Sequence, residues 1–194
     1  MKKKELVYRE ILYQAIEKRN RTLTQAYLAS ALKMSLSTVN NALEPLKRIN
    51  AVKINKMNFN VIDPKKILYY WATIRNLSKD IVYSTRAEMP VREIEKNMPD
   101  DIVFTAYSAY KLKLRDTPAD YSEVYIYGDE AIKKRFTENK KSPNLFILKK
   151  DEFTEKYGKT VTIANLFVDI WNLKEWYAKE FLKALEVKLN GILE

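Results

Sequence analysis

Four short polar side chains fall within five consecutive positions: Ser37, Thr38, Asn40 and Asn41. Hydroxyls and carboxamides of this size exchange directional hydrogen bonds with base edges, and Asn in particular pairs bidentately with adenine in a major groove. These four are the base-reading candidates. Lys33, Ser35 and Lys47 flank them, and Lys53, Asn55, Lys56 and Asn58 follow shortly after. Their charges and donors suit phosphate oxygens, which fix a protein's position on a duplex without reading its sequence.

A second group of residues bears on covalent chemistry. Phe104 to Leu114 reads as strand, turn and helix, and a strand follows at Val124, the order in which a nucleotidyltransferase fold opens. That reaction needs a Gly-Ser turn for phosphates and two carboxylates, one residue apart, to hold divalent metal. Here the turn is Ala106-Tyr107-Ser108, and Glu123 is followed by Tyr125 where the second carboxylate belongs. A Pro-Asp…Glu-x-Lys nuclease site fails at the same place, since Pro99-Asp100 and Glu123 are present but Tyr125 replaces the Lys that polarises the phosphate. Asp100-Asp101 and the stretch Asp116 to Asp120 read as caps and solvated loops. A nucleophilic Tyr would need a cluster of Arg, Lys and His, and the chain has no His. The expectation is a protein with no catalytic residue, no metal and no cofactor. The alternative is a metal-dependent nucleotidyltransferase or nuclease guided to nucleic acid by the N-terminal segment, and convergence of Glu123 with two further carboxylates would revive it.

The base-reading candidates need a helix to present them. Thr24 is placed to cap a short helix with Tyr27, Leu28 and Leu32 turned inward and small Ala29 where a second helix crosses. Ser35 is placed to cap that second helix, in which Val39, Leu43, Leu46 and Ile49 recur at three- and four-residue steps. Pro45 inside it removes a backbone hydrogen bond and predicts a kink. The alternating run from Val52 to Ile62 predicts a β-hairpin. Helix, tight turn, helix and hairpin together read as a winged helix-turn-helix, which puts its second helix into a major groove. Paired amphipathic helices also occur in proteins that never touch nucleic acid, so charge carries weight. Residues 1–62 hold 12 Lys or Arg against 4 Glu, whereas residues 63–194 hold 23 basic against 21 acidic residues. Nearly all of the net charge of +10 lies in the segment with the helix pair, as expected of a phosphate-binding surface.

Composition sets further bounds. A chain of 194 residues with 46% hydrophobic content has room for one large or two small cored domains. The absence of Cys and His removes thiolate metal sites, disulfides and Ser-His-Asp catalysis. No apolar run of membrane length appears and the charged start leads into no signal-like core, so the expected location is cytoplasmic. Three Gly together with many Lys, Glu, Ile and Tyr lean toward a thermophilic source, against which 14 Asn weigh.

Along the rest of the chain, Glu5 to Arg19 predicts a first helix. Asp63-Pro64 predicts a capped helix from Lys65 to Asn76, whose broad apolar face (Ile67, Leu68, Tyr70, Trp71, Ile74) serves core packing or dimerisation. Mixed α/β patterning follows: strands at Ile81 to Thr85, Ile102 to Thr105, Val124 to Tyr127, Asn144 to Lys149 and Thr160 to Ile163, with helices at Val91 to Asn97, Ala106 to Leu114 and Glu130 to Phe136. The end is helical, closed by Asn190-Gly191. The basic stretch from Lys133 through Lys141 reads as a solvated face or a second anion-binding surface.

With the helix-turn-helix, residues 103–110 (Val-Phe-Thr-Ala-Tyr-Ser-Ala-Tyr), 124–127 (Val-Tyr-Ile-Tyr) and 161–170 (Val-Thr-Ile-Ala-Asn-Leu-Phe-Val-Asp-Ile) in view, the chain resembles the AbiEi-like antitoxins and related archaeal winged-helix regulators over nearly its whole length. The resemblance implies a repressor of its own operon paired with a nucleotidyltransferase-like toxin. The family usually carries Thr-Gly where Thr105-Ala106 stands here. The expected fold class is α+β: a winged helix-turn-helix DNA-binding domain over 1–63, a connecting helix over 64–79, and over 80–194 a mixed α/β domain for dimerisation, partner or effector binding, one form of which is a degenerate nucleotidyltransferase-like fold. The expected function is sequence-specific binding of double-stranded DNA in transcription regulation, with a homodimer and a cognate toxin protein as expected partners.

Overall fold

Helix α1 (Lys3–Leu12) opens the chain, its start fixed by the Lys2 amide, which donates to Glu5 Oε1 at 3.3 Å. The computed structural model describes residues 1–193, with side chains through residue 190, and is mixed α+β with two small sheets. The chain divides into two compact units: Met1–Arg75 with Thr162–Val168 and the segment from Glu186 onward, and Asn76–Val161 with Asp169–Leu185.

In the first unit α1 is buried from Glu5 to Leu12; Glu5 accepts from Trp71 and Arg75, and Glu10 from Gln14 and Tyr27. The helix expected to run evenly to Arg19 instead passes into one π turn over Tyr13–Glu17, with Lys18 N–H donating to the Tyr13 carbonyl at 3.1 Å. A two-residue strand β1 (Thr22–Leu23) leads to Thr24, whose Oγ1 accepts from Tyr27 N–H at 3.0 Å and caps α2 (Gln25–Ala31). Leu28 and Leu32 are buried as the periodicity predicts. Tyr27 is not, and remains 39% exposed. Its hydroxyl donates to Glu10 Oε1 at 2.7 Å and accepts from Gln14 at 2.8 Å, a use of the phenol's polar end that deep burial would forbid.

The turn after α2 places Lys33 at φ +48 and is closed by Met34 N–H on the Ala29 carbonyl at 2.9 Å. Helix α3 (Leu36–Arg48) follows, with Val39, Ala42, Leu43 and Leu46 buried and Ile49 half-buried just past its end. It continues through Pro45, whose missing N–H leaves the Asn41 carbonyl without its intrahelical donor. Strands β2 (Val52–Ile54) and β3 (Phe59–Val61) pair antiparallel, Val52 opposite Val61 and Ile54 opposite Phe59, and β1 completes a sheet of order β1-β3-β2. Helix α4 (Pro64–Ile74) starts at the Asp63 cap with Pro at its first position. Ile67, Leu68 and Trp71 are buried and Tyr70 and Ile74 half-buried, so the broad apolar face is used in the unit's core. The helix expected to connect two domains is a structural member of the first.

The second unit holds β4 (Ile81–Thr85), α5 (Val91–Lys96), β5 (Val103–Thr105), α6 (Ala106–Leu114), β6 (Val124–Gly128) and β7 (Leu145–Lys149). The sheet runs β4-β7-β6-β5, with β6 and β7 parallel and the other pairs antiparallel. All five residues of β6 are buried, and strand alternation sends Val124 and Ile126 into a core with Ile94, Ile102, Ile132, Leu145 and Ile147, leaving Tyr125 and Tyr127 for the opposite face. Two expected elements differ. Glu130–Lys134 is a 3-10 turn, not an α-helix, and the strand expected over Thr160 to Ile163 reduces to a bridge between Thr160 and Phe104. Ile163 instead opens α7 (Ile163–Trp171), and α8 (Ala178–Leu193) runs on through Asn190-Gly191, where an end was expected. Among the described residues no helix is long and apolar enough to cross a membrane.

Candidate nucleic-acid interface

The first turn of α3 is held by its cap. Ser35 Oγ accepts from Thr38 N–H at 3.1 Å and lies 2.9 Å from the Thr38 hydroxyl, so Ser35 and Thr38 are both engaged locally. Ser37, Asn40 and Asn41 are exposed on the side of the helix away from the buried Val39, Leu43 and Leu46, with no hydrogen-bond partner for their side chains among the described residues. Lys47 is exposed in the last turn of α3, Lys53 on β2 and Lys56 in the hairpin turn, and none of the three makes an ion pair among the described residues. Lys33 is exposed in the turn before α3. Asn55 and Asn58 close the hairpin on each other, Asn55 N–H to the Asn58 carbonyl and Asn55 Nδ2 to Asn58 Oδ1, each at 2.8 Å. Their amides therefore shape the turn that carries Lys56.

Three further exposed or half-exposed residues of α3 are not singled out by the sequence. Leu36 is 55% exposed at the helix start, Glu44 is half-exposed one turn beyond Asn40 and Asn41, and Arg48 is exposed at the end. Leu36 lies three residues before Val39 and seven before Leu43, a spacing that reads as core in a sequence. The helix begins there, however, and the side chain is left more than half exposed. An acidic Glu44 amid donors and cations suits a base edge that donates, such as cytosine N4, rather than a phosphate.

The carboxylates of the second unit form a separate arrangement. Glu175, which no sequence pattern singles out, accepts from Tyr107 Oη at 3.0 Å and from Tyr125 Oη at 2.6 Å. Burial and the Glu175 carboxylate push both phenols well above their ordinary range. Glu123 lies beside this group with one carboxylate oxygen buried and unbonded. Burial, and after it the charge of Glu175, raises its carboxyl above the usual carboxylate value. Glu123 thus has Glu175 as its carboxylate neighbour, and no group of three acidic residues able to hold a metal ion occurs among the described residues. Tyr125, at the position where a second strand carboxylate would stand, instead donates to Glu175 and stacks on Phe146 with ring centroids 4.5 Å apart. In the basic stretch, Lys133 pairs with Glu130 at 2.9 Å and Lys141 with Glu88 at 2.6 Å, so part of its charge is compensated locally.

Comparison with protein-family models, with curated proteins and with solved structures gives no match to this chain.

Proposed function

We propose that the chain is a sequence-specific double-stranded DNA-binding regulator of transcription, with α2, α3 and the β2–β3 hairpin acting as a winged helix-turn-helix. One observation carries the reading: the capped helix α3 offers Ser37, Asn40 and Asn41 to solvent with their hydrogen-bonding groups uncommitted, within a segment that holds most of the chain's net positive charge. Uncommitted amides over a helix start suit base edges, and the surrounding lysines suit phosphates. Repression of its own operon as one half of a toxin–antitoxin pair is the more specific form of this reading. A homodimer fits the same reading, since one winged helix reads few base pairs and two half-sites multiply affinity.

The test is binding to the DNA upstream of its own gene against scrambled DNA of equal length, across a salt series. A specificity ratio of about a thousand or more at moderate salt is expected of a regulator. Equal and steeply salt-dependent binding to both would leave only a basic surface and overturn the proposal.

A further inference from the structure

Leu36 is an apolar side chain on α3 that the protein's own packing covers only in part. It is 55% exposed, while Val39, Leu43 and Leu46 on the same helix are buried. A lone exposed Leu is ordinary on a protein surface, but the position of this one is not arbitrary. It precedes Asn40 by four residues, so the two side chains lie together along one edge of the helix. The Ser35 cap, through Thr38 N–H at 3.1 Å, fixes the turn that carries it. Recognition helices approach base edges with their N-terminal residues. Within a major groove one base presents an apolar group, the 5-methyl of thymine, and the base paired with thymine is the adenine that an Asn amide reads.

We propose that Leu36 is a specificity-determining residue that packs on the 5-methyl group of a thymine next to the base pair read by Asn40, so that each half-site contains an A·T step at this place. The proposal rests on the reading of the chain as a DNA-binding regulator. A polar or charged residue at position 36 would gain nothing from the methyl, whereas Leu covers it and loses exposed apolar area of its own.

The test starts from a pool of randomised duplexes, from which the purified protein selects its preferred site. Each thymine of that site is then exchanged singly for deoxyuridine, which keeps the Watson–Crick edge and removes only the methyl. The wild-type protein should lose about fourfold in affinity at one thymine per half-site, the effect of uncovering one methyl group, and little at the others. Leu36→Ala should bind the thymine site less tightly and be indifferent to that same exchange, while Leu112→Ala, at an exposed apolar residue of the second unit, retains the sensitivity. Because Leu36 is exposed, Leu36→Ala should melt at the wild-type temperature, which separates a lost contact from a lost fold. A selected site whose thymines all tolerate exchange, or a methyl effect that persists in Leu36→Ala, overturns the Leu36 contact alone. A pool that yields no preferred duplex overturns the DNA-binding reading on which it rests.

Discussion

Arg75 Nη1 lies 3.3 Å from Glu5 Oε2, and Trp71 Nε1 donates to the same oxygen at 3.3 Å, so the first helix and the end of the fourth are tied across 70 residues of sequence. The paired side chains are 1% and 3% exposed. Removing one member of a buried pair leaves the other charged in a medium that solvates it poorly. Glu5→Gln, which keeps the shape and deletes the charge, is therefore expected to cost about 3 kcal/mol or more. Urea unfolding followed by tryptophan fluorescence measures it, and a loss under ~1 kcal/mol would mean that the pair is well replaced by neutral hydrogen bonds.

Base reading and phosphate positioning separate in mutant binding curves. Asn40→Ala and Asn41→Ala are each expected to lower the preference for the specific site by about 1–3 kcal/mol while barely changing binding to random DNA. Lys53→Ala should weaken both equally and reduce the salt slope by about 1. Equal losses on both DNAs for all three variants would reverse the assignment of roles.

Glu123 makes stability depend on pH with a definite sign. Its folded carboxyl titrates above the ordinary carboxylate value because of burial and then of Glu175, so between those two values the folded state holds more protons than the unfolded one. Stability then falls as pH rises through that window and stays low above it. Glu123→Gln should raise the melting temperature at neutral pH and leave it nearly unchanged at a pH below the ordinary carboxylate value. Thermal melts of the two proteins at several pH values decide it, and an unchanged difference across the range would show that Glu175 and burial do not act through the charge of Glu123.

Tyr125→Phe removes the 2.6 Å hydrogen bond to Glu175 while keeping the stack on Phe146. The expected loss is about 1.5–3 kcal/mol, as for hydrogen bonds to charged groups. Tyr107→Phe deletes the other donor to the same carboxylate, so the double variant should depart from additivity. Chemical denaturation of the two single variants and the double variant gives the coupling.

Local elements were legible where a local cause sets them. Thr24 and Ser35 cap the helices that the sequence assigned to them, and the helix from Ala106 to Leu114 and the strand from Ile81 to Thr85 lie where their patterns place them. Tyr27 misled because an aromatic at helical spacing reads as core, and only Glu10 and Gln14, distant in sequence, explain its outward turn. The β-branched run at Thr160 to Ile163 has the composition of a strand, but its pairing is a single bridge at Phe104, closed by Val161 N–H on the Phe104 carbonyl at 3.1 Å, and Ile163 starts a helix with its amide on Glu17 Oε1 at 2.8 Å. Glu175 carried no sequence signal at all. Its role exists only through Tyr107 and Tyr125, which lie 68 and 50 residues away. The polar candidates on α3 were readable from helix periodicity, whereas the exposure of Leu36 depends on where the helix begins and on what fails to cover it.

The discontinuous first unit bears on modularity. Its core takes Phe167 against Tyr69, with ring centroids 5.6 Å apart, and Glu186 on the Tyr69 hydroxyl at 2.8 Å, from segments that lie beyond most of the second unit in the chain. No single cut of the polypeptide separates the two units as complete pieces. A ribosome therefore finishes the unit that begins the chain only after the other has been synthesised. A shuffled or truncated gene ending near residue 75 would encode a helix pair and hairpin that lack part of their own unit.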